Sequence, residues 1–344
     1  MKVLGVIQGE QMASSRIRLV DMAPHLAGHG VTCEIETYPA SLTALARLVR
    51  RTALYDLVWL QKKLPGIGDT LHWRYCRTPV VFDFDDAICF RKEPKGGSYR
   101  SVTRERRFRR MTGLASAVTC GNRYLAGLVP QADKPVLVYP SPVPLDVPRK
   151  DYRTAQGPWV LGWVGGKGNL PSLERILPEL EELHKHHDFL LCVVSDGQLS
   201  APGIPVENLA WSLEGQSTLI AQFDVGLMPL DGDSLFDKGK CSYKVLQYMA
   251  AGVVSVADAV GMNAEILQDG ENGCLVSGPR GWARVLDELL GEDRMCLARL
   301  GEAGRVDAER VFSYEHAATA LAEFFRAIIE PHGRSRELAS TPVS

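Results

Sequence analysis

The sequence predicts an α/β protein built from two Rossmann-like, doubly wound domains that face each other across a cleft. Three observations carry this expectation. Short β-rich runs alternate with helix-periodic stretches along the chain. A dense cluster of prolines interrupts the alternation near its middle. At 344 residues the chain is too long for one ordinary core and suits two domains.

In the first half, Val3–Ile7, Thr32–Glu36, Leu57–Leu60, Val80–Phe84 and Ala117–Thr119 are expected strands, rich in apolar and β-branched residues. Apolar residues recur at helical spacing over Arg16–Leu26, Leu42–Arg51 and Arg100–Leu114. Tyr139-Pro140-Ser141-Pro142-Val143-Pro144, Pro148 and the polar stretch to Pro158 read as an interdomain linker. The alternation then resumes with strand Val160–Val164, helix Leu173–Leu183 and strand Phe189–Val194, which ends at Ser195-Asp196-Gly197. Helix Leu213–Gln222 and strand Asp224–Met228 lead into the stretch Asp237–Leu267. There a basic loop meets a helix carrying Val245, Tyr248, Met249 and Gly252, followed by strand Val253–Val256. The turn Gly261-Met262-Asn263 enters another helix at Glu265, and helices Trp282–Leu290, Met295–Val311 and Tyr314–Ile329 complete the pattern. Two such domains place a ligand cleft at the carboxyl ends of their strands.

Composition narrows the partners. A net charge of −2 makes the whole molecule no obvious nucleic-acid binder. Eight cysteines without a Cys-x-x-Cys pair point away from zinc sites and disulfide frameworks, and toward a reducing cytoplasm. The apolar run after Met1-Lys2 stops at Gln8, too short for a signal or a membrane span.

Candidate chemistry gathers at loops. Lys240 and Lys244 flank a helix start at Cys241, Ser242 and Tyr243, where unpaired backbone N–H groups and the helix dipole favour phosphate. Gln247, one turn on, is placed to reach a sugar hydroxyl; the plainer account of this stretch is an ordinary helix–strand unit. Gly165, Gly166 and Lys167 follow strand Val160–Val164 and open a helix, a second phosphate-type loop. The loop from Gly9 to Arg16 lacks the Gly-x-Gly-x-x-Gly of dinucleotide dehydrogenases, and Ser14 or Ser15 fits an N-cap. Asp83-Phe84-Asp85-Asp86 ends a strand, where Asp-x-Asp either holds a divalent cation or caps a turn. His184-Lys185-His186-His187 reads as a solvated helix end. Arg91–Arg110 holds nine Lys/Arg against Glu93 and Glu105: a solvated helix face, or a patch for anionic lipid at a peripheral membrane contact or for a phosphate-bearing polyprenyl acceptor.

The stretch from Gly239 to Val254 resembles the donor-binding half of retaining glycosyltransferases of the GT-B fold, glycosyltransferase family 4. Gln247-Tyr248-Met249-Ala250-Ala251-Gly252-Val253 follows that family's Glu-Ala-Met-Ala-x-Gly pattern, with Gln247 in place of the second glutamate, Gly239 in place of the first and Val254 in place of proline. Gly261-Met262-Asn263-Ala264-Glu265 resembles its Gly-x-x-x-Glu turn, and Asp85 stands where its histidine is usual. The resemblance implies a nucleotide-sugar donor bound by Gly165, Gly166, Lys167, Lys240, Cys241, Ser242, Tyr243, Gln247, Asn263 and Glu265. It implies Asp85 and Lys244 as catalytic residues and Gly9, Ser15 and Arg16 on the acceptor side. It also implies metal-independent transfer, with retention, to a glycan, lipid or small molecule. The alternatives are an epimerase or hydrolase of nucleotide-sugars on the same fold, and a binding protein without turnover, which the missing carboxylate at Gly239 favours. The expected domains are 1–150 with the linker, 151–312, a helix at 313–330 packing back on the first domain, and a disordered tail at 331–344.

Overall fold

The structure is a computed structural model and describes residues 1–130, 133–278 and 280–330; the expected tail at 331–344 lies outside the described residues. The first domain holds strands β1 (Lys2–Ile7), β2 (Thr32–Thr37), β3 (Leu57–Gln61), β4 (Val80–Phe84), β5 (Ala117–Cys120) and β6 (Val136–Val138). They form one parallel sheet in the order β2-β1-β3-β4-β5-β6, with Val3 opposite Cys33 and Val58 opposite Val80. Every residue of β3, β4 and β5 is buried, because helices cover both faces of the sheet. Val58 and Leu60 meet Leu45, Leu48, Phe108 and Met111 on one face. Leu57 and Trp59 meet Met22, Leu26 and Phe325 on the other, as strand alternation requires. Helix Tyr314–Ile329 thus lies against the first domain, with Phe325 edge-on to Trp59 at 5.3 Å between ring centroids.

The second domain holds β7 (Trp159–Val164), β8 (Phe189–Ser195), β9 (Val206–Ala210), β10 (Val225–Met228), β11 (Val254–Asp258) and β12 (Cys274–Val276). Its parallel sheet runs β12-β11-β10-β7-β8-β9. The chain switches winding direction between β1 and β3 in one sheet and between β7 and β10 in the other. The loops after these four strands therefore wall the cleft.

Three strands went unread in the sequence: β6, β9 and β12. All are sheet edges of three to five residues, paired on one side only, and β9 (VENLA) carries little apolar signal. Two helices differ from their expected form, and proline is the reason in both. Instead of one helix over Arg16–Leu26, Ala13–Ser15 and a π-helical stretch Arg16–Val20 precede Met22–Gly28. Pro24 cannot donate to Val20, and Asp21 N–H reaches back to Arg16 O at 2.7 Å. Likewise Leu173–Leu183 divides into Leu170–Glu174 and Leu177–His184 around Pro178.

The segment between β6 and β7 is packed rather than a free spacer. Val143 N–H donates to Phe312 O at 2.9 Å, and the Tyr152 hydroxyl donates to Asp224 O at 2.8 Å. Apolar contact continues across the domain boundary, where Ala87, Cys89 and Leu125 share a cluster with Cys241, Leu246 and Met249. No helix among the described residues is long and apolar enough to cross a membrane. All eight cysteines are free thiols.

Candidate active site

The wall contributed by the second domain is built on the loop between β10 and the helix Tyr243–Ala250. Ser242 opens that helix in the left-handed region, at φ 47°. Its hydroxyl donates to Asn263 Oδ1 at 2.6 Å, and Asn263 Nδ2 donates to Asp258 O at 3.0 Å. Both residues are buried, so they are struts that fix the turn rather than groups presented to a ligand. What the turn presents is the first-turn N–H groups and Lys244. The Lys244 ammonium sits 5.2 Å from the Trp163 ring centroid and has no hydrogen-bond or ion-pair partner among the described residues. Burial, then the neighbouring Lys240 ammonium, bring its pKa down to about 7. Gly165, just past β7, makes room for it: a Cβ there would lie 2.8 Å from Lys244 Cε and from the Trp163 ring.

The other expected donor residues divide around this cation. Lys167 is exposed, with its backbone N–H held by Asp196 Oδ1 at 2.5 Å beside exposed Gly166. Lys240 is already paired with Asp237, at 2.8 Å. Glu265 is exposed at the start of its helix. Gln247 Nε2 donates to Gln216 Oε1 at 3.0 Å, and Trp211 Nε1 donates to the same oxygen at 3.1 Å. Cys241 does not face the cleft. Its thiol donates to Asp85 O at 2.9 Å in the seam between the domains, and burial raises its pKa. Gly239 belongs to that seam too. A Cβ there would come within 2.6 Å of Ala87 Cβ and 2.8 Å of Ala87 N, and Asn122 Nδ2 donates to Gly239 O at 3.2 Å. A glutamate at this position would collide with the first domain.

On the opposite wall, nearly every polar group has a protein partner. Arg18 is fully buried and grips Asp83 bidentately, Nε to Oδ2 at 2.9 Å and Nη2 to Oδ1 at 2.7 Å. Thr119 and Tyr139 hydroxyls also donate to Asp83 Oδ1, at 2.7 and 3.3 Å. With both its oxygens engaged, Asp83 cannot serve in the metal-holding Asp-x-Asp pair.

Asp85 is held differently. Lys62, at the carboxyl end of β3, places its ammonium 2.9 Å from Asp85 Oδ1 and also donates to Asp86 and, at 3.0 Å, to Ser14 Oγ. Burial favours the neutral acid, but Lys62 and Arg18 outweigh it and hold the Asp85 carboxyl below the usual carboxylate range. Lys62 adopts φ 50°, a left-handed backbone that costs a non-glycine residue about 1–2 kcal/mol. Three acidic or hydroxyl partners fix it there.

Ser15, expected on the acceptor side, is instead fully buried, its hydroxyl donating to Gln61 Oε1 at 2.7 Å. Neither Ser14 nor Ser15 caps a helix with its side chain: the first helix starts at Ala13 after Met12, and Ser15, which precedes the π-helical stretch, makes no capping bond. Gly9 is half-buried in the loop after β1, and a Cβ there would meet nothing within 4 Å.

Arg16, Tyr243 and Gln247 line a cavity of about 610 Å³ between the domains, together with Asp21, Leu213 and Gln216. Arg16 Nε is 3.7 Å from Asp21 Oδ2. The histidine run does not converge: His184 packs edge-on against Phe189, and His187 pairs with Asp287 at 2.8 Å. Sequence reasoning missed Lys62, Trp163, Gln216 and Asn122. Only Lys62 left a signal, as a charge directly after an apolar strand.

Residues 159–292 match the family described as "Glycosyl transferases group 1". The sequence matches no curated protein. Among solved structures, sucrose-phosphate synthase from Thermosynechococcus elongatus superposes with a TM-score of 0.72 at 15% identity, covering 95% of this chain and 98% of that one. HepE of Anabaena, in complex with UDP, gives 0.72 at 16% identity over 95% and 100% of the two chains. AviGT4, a glycosyltransferase involved in avilamycin A biosynthesis, gives 0.61 at 16% identity over 95% and 98%. Residues 159–292 are therefore similar to group 1 glycosyltransferases, within a chain that has the GT-B fold.

Proposed function

We propose that the protein transfers a sugar from a nucleotide-sugar donor to a glycan, lipid or small-molecule acceptor, with retention of configuration and without a metal ion. Lys244 carries this reading. It is a half-buried ammonium without a partner, at the start of a helix and beneath a glycine loop, which is the environment a diphosphate would complete. The group 1 match over this domain supports the same activity, and HepE has been seen with UDP and with UDP-glucose. Eight free cysteines support a reducing, cytoplasmic setting.

In the proposed reaction, Lys244, Lys167 and the helix N–H groups hold the diphosphate, while Gln247 and Gln216 meet ribose or sugar hydroxyls. The bond between the anomeric carbon and the diphosphate oxygen breaks, and its electron pair leaves with the phosphate. Lys244 stabilises that charge in place of a metal. The acceptor hydroxyl attacks from the face the phosphate has just left, and its proton passes to the departing oxygen. Asp85, kept ionised by Lys62 and Arg18, supplies a fixed negative charge for the cationic sugar.

The test is a thermal-shift screen across nucleotide-sugars, followed by NMR of the product anomer with and without chelator. A donor that raises the melting temperature, with transfer that retains configuration and survives chelation, supports the proposal. Inverted product, or activity that chelator abolishes, overturns the mechanism. A second reading, donor binding without turnover, is favoured by the seam at Gly239, which leaves no space for a carboxylate. Stabilisation by a donor with no product from any acceptor pool would establish it.

A further inference from the structure

The first domain carries a row of large apolar side chains that nothing in the molecule covers. Helix Ile67–Trp73 lies between helices Leu42–Arg51 and Val102–Leu114, on the sheet face opposite the C-terminal helix. It turns Trp73 inward, while Ile67, Leu71 and, just past its end, Tyr75 remain 72%, 54% and 82% exposed. Their spacing of four residues sets them along one stripe. Leu42, 48% exposed, extends the row by packing on Gly68. Apolar side chains clustered this way mark a contact surface.

Charge identifies the occupant. The adjoining helix buries Phe108, Met111 and Thr112 and turns Arg106, Arg107 and Arg109 to solvent, with Arg110 half-buried beside them. None of these four guanidinium groups has a hydrogen-bond or ion-pair partner among the described residues. Arg74 and Arg77 flank Tyr75, and both are exposed. The nearby acids are already engaged: Asp69 accepts from the Tyr38 hydroxyl at 3.2 Å, and Glu105 lies 3.4 Å from Arg100. The basic segment read from the sequence therefore splits in two. Lys92 donates to Gly168 O, and the Tyr99 hydroxyl donates to Asp231 at 3.1 Å, so the stretch before Arg100 braces the second domain. Only the part on the helix belongs to the outer face.

We propose that this face docks on an anionic lipid bilayer, with Ile67, Leu71 and Tyr75 among the headgroups and the Arg106–Arg110 cluster against anionic phosphates. A short apolar row flanked by unpaired arginines matches such an interface in both its apolar and its charged component. The surface lies apart from the donor residues and does not depend on which reaction they perform.

The test is co-sedimentation of the full chain with phosphatidylcholine vesicles, with and without phosphatidylglycerol. Binding is expected only with phosphatidylglycerol and should weaken as salt rises. Ile67→Ser/Leu71→Ser/Tyr75→Ser should weaken it at least about tenfold, and Arg106→Gln/Arg107→Gln by a similar factor. Arg153→Gln/Arg299→Gln, which removes the same charge from the second domain, should leave binding unchanged. Circular dichroism should be the same for all variants, since every substituted side chain is exposed. No sedimentation with anionic vesicles overturns the proposal, as does equal loss in the second-domain control. A lipid-free dimer that the apolar variant dissolves would assign the face to a second copy of the chain and also overturn it.

Discussion

Arg18 in the first domain and Lys244 in the second are two cations near the cleft, and they are treated in opposite ways. Arg18 is fully buried and makes four hydrogen bonds, to Asp83, Tyr139 O and Ser141 Oγ, with its guanidinium stacked over the Tyr139 ring. Lys244 is half-buried with a ring beneath it and no hydrogen-bond or ion-pair partner among the described residues. A buried charge is tolerated when its partner is in place, so the complete pair is architecture and the incomplete one is the site proposed for the donor diphosphate. Charge alone does not mark a binding residue; the missing partner does.

The largest test of this contrast removes the Arg18 partner. Arg18→Met leaves Asp83 buried and uncompensated and should cost about 3–5 kcal/mol, measured by urea denaturation. A loss below 1 kcal/mol would mean the pair is not structural. Next, Lys244→Ala should lower kcat/KM by about 10²–10³-fold, as for other groups that stabilise transition-state charge, without lowering the melting temperature. A large fall in melting temperature with activity intact would reverse the two roles.

The smallest effect is in pH. Lys244 titrates near 7 in the free protein, below the ordinary lysine value, and a bound diphosphate would raise it again. Binding should then take up a proton above pH 7. Affinity for an intact nucleotide-sugar should fall as pH rises through that value, by at most about tenfold per unit. Lys244→Arg, charged throughout, should flatten the profile, and calorimetry in buffers of different ionisation heat should show proton uptake for the parent alone. A flat parent profile would mean that Lys244 is not the group at the phosphate.

What the sequence made legible follows from what repeats locally. Fully buried parallel strands such as Leu57–Gln61 and Val80–Phe84 must be continuous apolar runs, so their positions could be read within a residue. Edge strands are paired on one side only, and β9 gave little pattern to find. Glycines before a helix and lysines beside its start were legible for the same local reason, and Gly165 and Lys244 do meet.

Whether a polar residue faced a ligand or another part of the protein was decided only in three dimensions. Ser15 and Gln61 are partners 46 residues apart, Arg18 and Asp83 are 65 apart, and Cys241 reaches Asp85 O across 156. No local spacing encodes such pairings, because hydrogen bonding and desolvation depend on what the folded chain brings alongside. The sequence alone determined two α/β domains and a phosphate-type loop. The tertiary structure decided that Asp83, Ser15, Ser242 and Cys241 are internal struts, that Gly239 is a contact point between domains, and that Lys244 at the cleft has no ion-pair partner among the described residues. The physical reason is the same throughout: a side chain's chemistry is local, but its partner is not.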